Sequence, residues 1–132
     1  MRQRGRARAC DERGSAVVDF VLVLVLLVPV FLGLLQVALV LHVRNSLAAA
    51  AAEGARLAAT VDGGPGDGVA RTRAQIAASY GARFVTSIRP ERVSVDGAPG
   101  VAIVVHAKVP ALGLGGPAVS FDVTSRAVEE SP

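Results

Sequence analysis

Residues 20–41, FVLVLVLLVPVFLGLLQVALVL, form an apolar run without a formal charge. A helix of this length, rising about 1.5 Å per residue, matches a hydrocarbon core of about 30 Å, so the run predicts one transmembrane helix over about residues 17–41. Arg2, Arg4, Arg6, Arg8 and Arg13 precede it, against His42 and Arg44 immediately after. That asymmetry orients the chain as a single pass with its N-terminus in the cytoplasm and everything beyond about residue 42 outside. Pro29 and Gly33 lie near the middle of the run, where a local kink or unwinding is expected; neighbouring helices can satisfy the carbonyl that proline frees. Gln36, in the outer half, reads either as a hydrogen-bonding group towards a partner helix or as an isolated, self-satisfied side chain.

Composition narrows the classes further. The chain has 132 residues, 52% hydrophobic and only 4% aromatic, with a formal charge of +3. This length allows one membrane segment and one small domain. The basic arm has no interleaved aromatic residues for base stacking, which argues against nucleic acid. Cys10 is the only cysteine, so no intramolecular disulfide and no cysteine metal cluster can form. A cleavable secretory signal is a rival reading, because Ala48–Ala52 offers small residues of the kind signal peptidase accepts. The apolar run, however, is much longer than an h-region of about 7 to 15 residues, and the alanine tract reads as helix.

Past the membrane the helical pattern continues through VRNSLAAAAAEGARLAATV, residues 43–61, with Leu47, Ala50, Ala51 and Leu57 spaced to share a face. Glu53 and Arg56 are spaced for a surface pair, and Gly54 is out of place in a helix unless a close helix approach uses it. DGGPGDG, residues 62–68, is a turn, and Asp67 is placed to cap a second helix from about Gly68 to Val85. Val69, Ile76, Ala77, Tyr80 and Phe84 form its apolar stripe, with Arg71, Arg73 and Arg83 turned away. After Pro90 the period becomes two: Val93 and Val95, a turn at GAPG (97–100), then Val101, Ile103, Val105, Ala107 and Val109 on one face. A third strand places Val119, Phe121, Val123 and Ala127 together. The expected fold class is thus an α+β membrane protein. A long N-terminal transmembrane helix (15–61) extends into a small extracytoplasmic head (62–132), in which one helix packs on a three-stranded antiparallel sheet, behind a basic leader at 1–14.

No constellation for chemistry emerges. His106 and His42 lack a metal-ligand spacing and a nucleophile, and Gly113, Gly115 and Gly116 lack the Lys-Ser/Thr and following helix of a phosphate loop. They read as a solvated pair of histidines and a hairpin loop. The expectation is a non-enzymatic protein with no cofactor, no metal and no small-molecule substrate.

Asp19 stands at the threshold of the apolar run. An acid at a bilayer centre costs up to about 2.5 to 3.5 kcal/mol and usually marks function, whereas one at the headgroup boundary simply favours the positive end of a helix by about 0.3 to 1 kcal/mol. Composition alone leaves both open. The local order of residues does more: Arg13-Gly14, then Ser15, then Asp19-Phe20, then an uninterrupted apolar helix. This resembles the N-terminus of type IV pilins and pseudopilins, with a glycine, a cut, and an acid at the fifth mature position followed by an aromatic. RGSAVVDF, the leucine- and valine-rich run with its internal proline, LHVRNSLAAAAAEGARLAA and the closing VSFDVTSRAVEE together resemble the TadE-like pilus assembly proteins of the tight-adherence system. The family usually carries glutamate where this chain has Asp19, one methylene shorter.

The resemblance implies that a membrane prepilin peptidase cuts between Gly14 and Ser15 on the cytoplasmic side, removing the leader with Cys10. It implies that Asp19 and Phe20 form the processing and assembly motif, and that the mature helix packs against other pilin or pseudopilin subunits. There the new amine of Ser15 can pair with Asp19 of a neighbour, each offsetting the other's desolvation. The implied role is a pseudopilin or minor pilin in assembly of a tight-adherence (Flp-type) pilus, held in the bacterial cytoplasmic membrane. The alternative is an uncleaved, signal-anchored extracytoplasmic binding module.

Overall fold

The computed structural model describes residues 6–111 and 118–130. The glycine loop with Gly113, Gly115, Gly116 and Pro117, and the side chains of the leader arginines, Cys10 and Tyr80, lie outside the described residues. In chain order the elements are α1 (Arg6–Ala58), α2 (Pro65–Ala77), a 3-10 turn (Tyr80–Phe84), β1 (Val85–Val95), β2 (Ala98–Val109) and β3 (Val119–Val128). They fall into two compact units, Met1–Val37 and Ala38–Pro132, the second being the head.

In the first unit the described structure is α1 alone, starting before Ser15 and passing Pro29 with helical residues on both sides, so no unwinding occurs there. Valine-rich sequence is a poor helix former in water, but a helix satisfies its backbone groups internally, which is what an apolar surrounding demands. The large apolar side chains of residues 17–37 are exposed, from Leu24 at 37% to Leu26 at 73%, except for half-buried Leu32. Among the described residues α1 is the one helix long and apolar enough to cross a membrane.

The head is built on an antiparallel sheet in the order β1-β2-β3. Its turn is not GAPG. Val95 pairs with Ala98, which leaves a two-residue loop of Asp96 (φ 51) and Gly97 (φ 86). Two successive positive φ values are the signature of the type I′ turn, whose twist suits a hairpin and which Asp-Gly favours. Moving the turn by two residues changes the partners of β1 but not its faces. In the observed register Val93 and Val95 pair with Gly100 and Ala98, so they share the outer face with Ala102 and Val104, while Ile88 and Pro90 join Val105 and Ile103 on the inner one. A bulge between Val85 and Ser87 lets Val85 return to the side of Ala107.

The inner face is covered by two helices. Val43, Leu47, Ala50, Ala51 and Ala55 of α1 are at most 2% exposed and form one cluster with Ile76 of α2 and Ile103, Val105, Val109 and Val123 of the sheet. Leu57, expected on that face, is instead 39% exposed, and Ala55 and Ala58 take the inward positions. Ser125 Oγ donates to the Ala48 carbonyl (3.3 Å), tying β3 to α1.

α1 ends at Ala58, and the Thr60 hydroxyl donates to the Leu57 carbonyl at 2.8 Å. α2 starts earlier than the Asp67 cap predicts. Gly64 is the N-cap, Pro65 supplies the preset φ of a first helical residue, and Asp67 Oδ2 accepts from the Gly64 N–H at 3.1 Å. α2 also stops sooner, at Ala77 rather than Val85. Ser79 donates its hydroxyl to the Ile76 carbonyl (2.8 Å) and accepts from the Gly81 N–H (3.3 Å), opening the 3-10 turn. The buried face of α2 is Gly68, Thr72 and Ile76, at four-residue spacing; Ala77 is exposed and Val69 half-buried.

Candidate functional site

Gly14, Ser15, Asp19 and Phe20 all lie on α1 and are all exposed. Four residues apart on a helix, Ser15 and Asp19 share a face, so the carboxylate projects on the side where Ser15 begins. Its surroundings are apolar: Val17, Val18, Phe20 and Val21 are exposed by 50 to 64%. Among the described residues no hydrogen bond or ion pair reaches the Asp19 side chain. The Gly14–Ser15 peptide is helical, and no heavy atom lies within 4 Å of where a Gly14 side chain would begin. The segment is therefore sterically open to a protein that grips it from outside, and glycine lowers the cost of unwinding that turn by up to about 1 kcal/mol relative to alanine.

A second feature lies at the other end of α1, where Gly54 serves the close helix approach that the sequence allowed for it. Gly54 faces Gly68 of α2. A Cβ on Gly54 would lie 2.5 Å from the Gly68 carbonyl and would overlap Thr72 Oγ1; a Cβ on Gly68 would lie 2.6 Å from the Gly54 carbonyl and 2.7 Å from Ala58 Cβ. The two backbones touch. Thr72, fully buried, donates its hydroxyl to the Gly68 carbonyl at 2.8 Å, with the Ala50 carbonyl at 3.4 Å. Beside this crossing Glu53 pairs with Arg71 of α2 at 3.1 Å, not with Arg56 as spacing suggested. The sequence signal lay in Gly54, a glycine inside a helix with no turn to explain it, whereas Gly68 read as the end of the turn at 62–68.

The residues with acid–base capacity gather little. His106 and Asp122 face each other across β2 and β3 on the outer face of the sheet and form a pair through Nδ1 and Oδ1, and Thr86 Oγ1 donates to the His106 carbonyl at 3.1 Å. The histidine is thus half-buried and paired rather than simply solvated. Among the described residues no group of three His, Cys, Asp or Glu side chains could hold a metal.

One segment therefore carries an exposed acid at the edge of an apolar helix and, at its far end, a glycine contact that fastens that helix to the head. Residues 14–56 match the family model of TadE-like proteins. Over that stretch the chain is similar to TadE-like proteins. No curated protein and no solved structure gave a match. The TadE-like stretch begins at Gly14 and ends at Arg56, so it takes in the acid motif, the apolar run and the Glu53–Gly54 contact with α2.

Proposed function

We propose that this chain is a non-enzymatic pseudopilin or minor pilin that serves assembly of a tight-adherence pilus. The apolar half of α1 anchors it in the cytoplasmic membrane, with the N-terminus inside and the head outside. A prepilin peptidase removes residues 1–14, and Ser15 becomes the mature N-terminus. The observation that carries this reading is the start of the TadE-like match at Gly14, directly before Ser15 and five residues before Asp19.

The geometry supports a definite role for Asp19. An exposed carboxylate among exposed valines and Phe20 is poorly placed in lipid, and it gains when a cation meets it there. Cleavage creates that cation, the α-amino group of Ser15. Within one chain the two groups are one helical turn apart; between neighbouring chains the same pairing sets helices in register. The apolar surface of α1 supplies the remaining attraction between subunits through side-chain packing.

Intact mass of the protein recovered from membranes tests the reading. A mature chain beginning at Ser15, and loss of that product in Gly14→Leu, are the expected results. An intact chain in cells that assemble pili would instead leave an uncleaved, anchored binding module, and a start near Ala51 would identify a secreted domain.

A further inference from the structure

Two contacts fix the direction of β3 against α1: Ser125 Oγ donates to the Ala48 carbonyl, and the Glu130 N–H donates to the Ala59 carbonyl at 2.9 Å. Chain and helix run the same way, and the intervals agree, since five extended residues and eleven helical ones each cover roughly 16 Å. Val109, at the Val109–Val119 end of the β2–β3 hairpin, shares one core cluster with Val43 of α1, which places that end beside the turns by which α1 enters the head. There Leu39 and Val40 already pack against the head's core and Val43 is buried in it. No spacer separates the apolar run from the folded unit.

The charges of the head divide along the same axis. At the entry end Arg44, Arg83 and Lys108 are exposed; the one acid there among the described residues is Asp122, which pairs with His106. Arg83 belongs to this end because Val85, two residues on, pairs with Ala107 near the end of β2. At the opposite end Asp62, Asp67, Asp96, Glu129 and Glu130 are exposed, while Arg56, Arg92 and Arg126 are the nearby cations. Val119, at the entry end, is a large apolar side chain left 41% exposed.

We infer that the entry end of the head docks on the membrane surface, with Arg44, Arg83 and Lys108 among anionic lipid headgroups and Val119 at the interface. This rests on the anchored reading of α1 given above. Each such cation near an anionic surface shifts the docking equilibrium by roughly fivefold. Docking fixes the height and tilt of the head before any subunit meets it.

The test uses the full chain with Cys10→Ser, carrying one cysteine for an environment-sensitive fluorophore at Val119, Asp96 or Phe31. It is reconstituted in vesicles of phosphatidylcholine with phosphatidylglycerol or of phosphatidylcholine alone. Quenching by headgroup-labelled lipid is expected to be several-fold stronger at position 119 than at 96, to weaken in neutral vesicles, and to weaken likewise in Arg44→Glu/Lys108→Glu. Quenching at 119 no greater than at 96, or equal in both vesicle types, overturns the inference while quenching of the Phe31 site by acyl-chain label keeps the anchor. Dependence on protein density instead of lipid charge assigns the surface to a second copy and also overturns it. An unquenched Phe31 site removes the anchored reading itself.

Discussion

Gly54→Ala sets two physical effects of opposite sign against each other. In an exposed helix the change stabilises by about 0.5 to 1 kcal/mol, because alanine loses less conformational freedom on folding. At this position the new Cβ would lie 2.5 Å from the Gly68 carbonyl and overlap the Thr72 hydroxyl. Both obstacles are rigid: one is helix backbone, and the other is a buried hydroxyl held by the Gly68 carbonyl. α2 must retreat by about 1 Å, opening the cluster around Ile76, and overpacking of this kind costs typically 1 to 3 kcal/mol. The steric term wins, for a net loss of about 1 to 2 kcal/mol. In a unit of this size that lowers Tm by roughly 5 to 15 °C. Thermal unfolding of the full chain in detergent, followed by circular dichroism and by proteolysis of the α1–α2 loop, measures it. Gly66→Ala, in the same helix α2 but with no heavy atom within 4 Å, is the control and should leave Tm unchanged or raise it. Equal behaviour of the two variants would refute the close crossing of α1 and α2, and so the account of why the family segment carries Gly54.

Gly97→Ala forces a side chain onto φ 86 in the hairpin turn and should destabilise the head by about 1 to 2 kcal/mol, whereas Asp96→Asn should be nearly neutral; chemical denaturation of the pair reads the difference. Leu47→Ala removes a fully buried side chain of α1 and should cost about 2 to 5 kcal/mol, with the loss seen as earlier exposure of β2 amides to hydrogen exchange; an unaffected sheet would mean that α1 is no part of the core. Asp122→Asn breaks an exposed cross-strand pair and should change stability by less than about 1 kcal/mol, leaving processing at Gly14 untouched when mature mass is measured.

The apolar run, the continuation of its helix beyond the membrane and the three strands were legible because each repeats a period over many residues. What sequence missed depended on single residues or on tertiary choice. Asp96-Gly97 and GAPG are both credible turns, and either leaves Val93 and Val95 on the face of Ala102 and Val104; only pairing of Val95 with Ala98 decides between them. Asp67 was a credible cap, but Pro65 allowed α2 to begin earlier and turned Asp67 into an acceptor for the Gly64 N–H. Glu53 had Arg56 within its own helix, and Arg71 came within reach only after α2 folded back. At the candidate site, the order Gly14, Ser15, Asp19, Phe20 was legible as a local motif, while the contact that fastens α1 to the head required knowing where α2 lies.

The two ends of α1 answer to different solvents, and this explains why one helix can serve both anchoring and folding. Among the described residues of the first unit every large apolar side chain except half-buried Leu32 is exposed, which water would penalise at about 25 cal/mol per Å² and which lipid or neighbouring helices would not. In the head, small residues replace large ones: Ala50, Ala51, Gly54 and Ala55 bring the helix close to the sheet and to α2. Val43 and Leu47 are the larger side chains on that face, and Leu47 reaches the 3-10 turn at which Gly81 leaves room. A substitution among residues 20–37 therefore acts on what surrounds the helix, whereas one among residues 43–58 acts on the fold of the head. Leu34→Ala and Leu47→Ala remove the same atoms, yet only the second should lower the stability of the sheet.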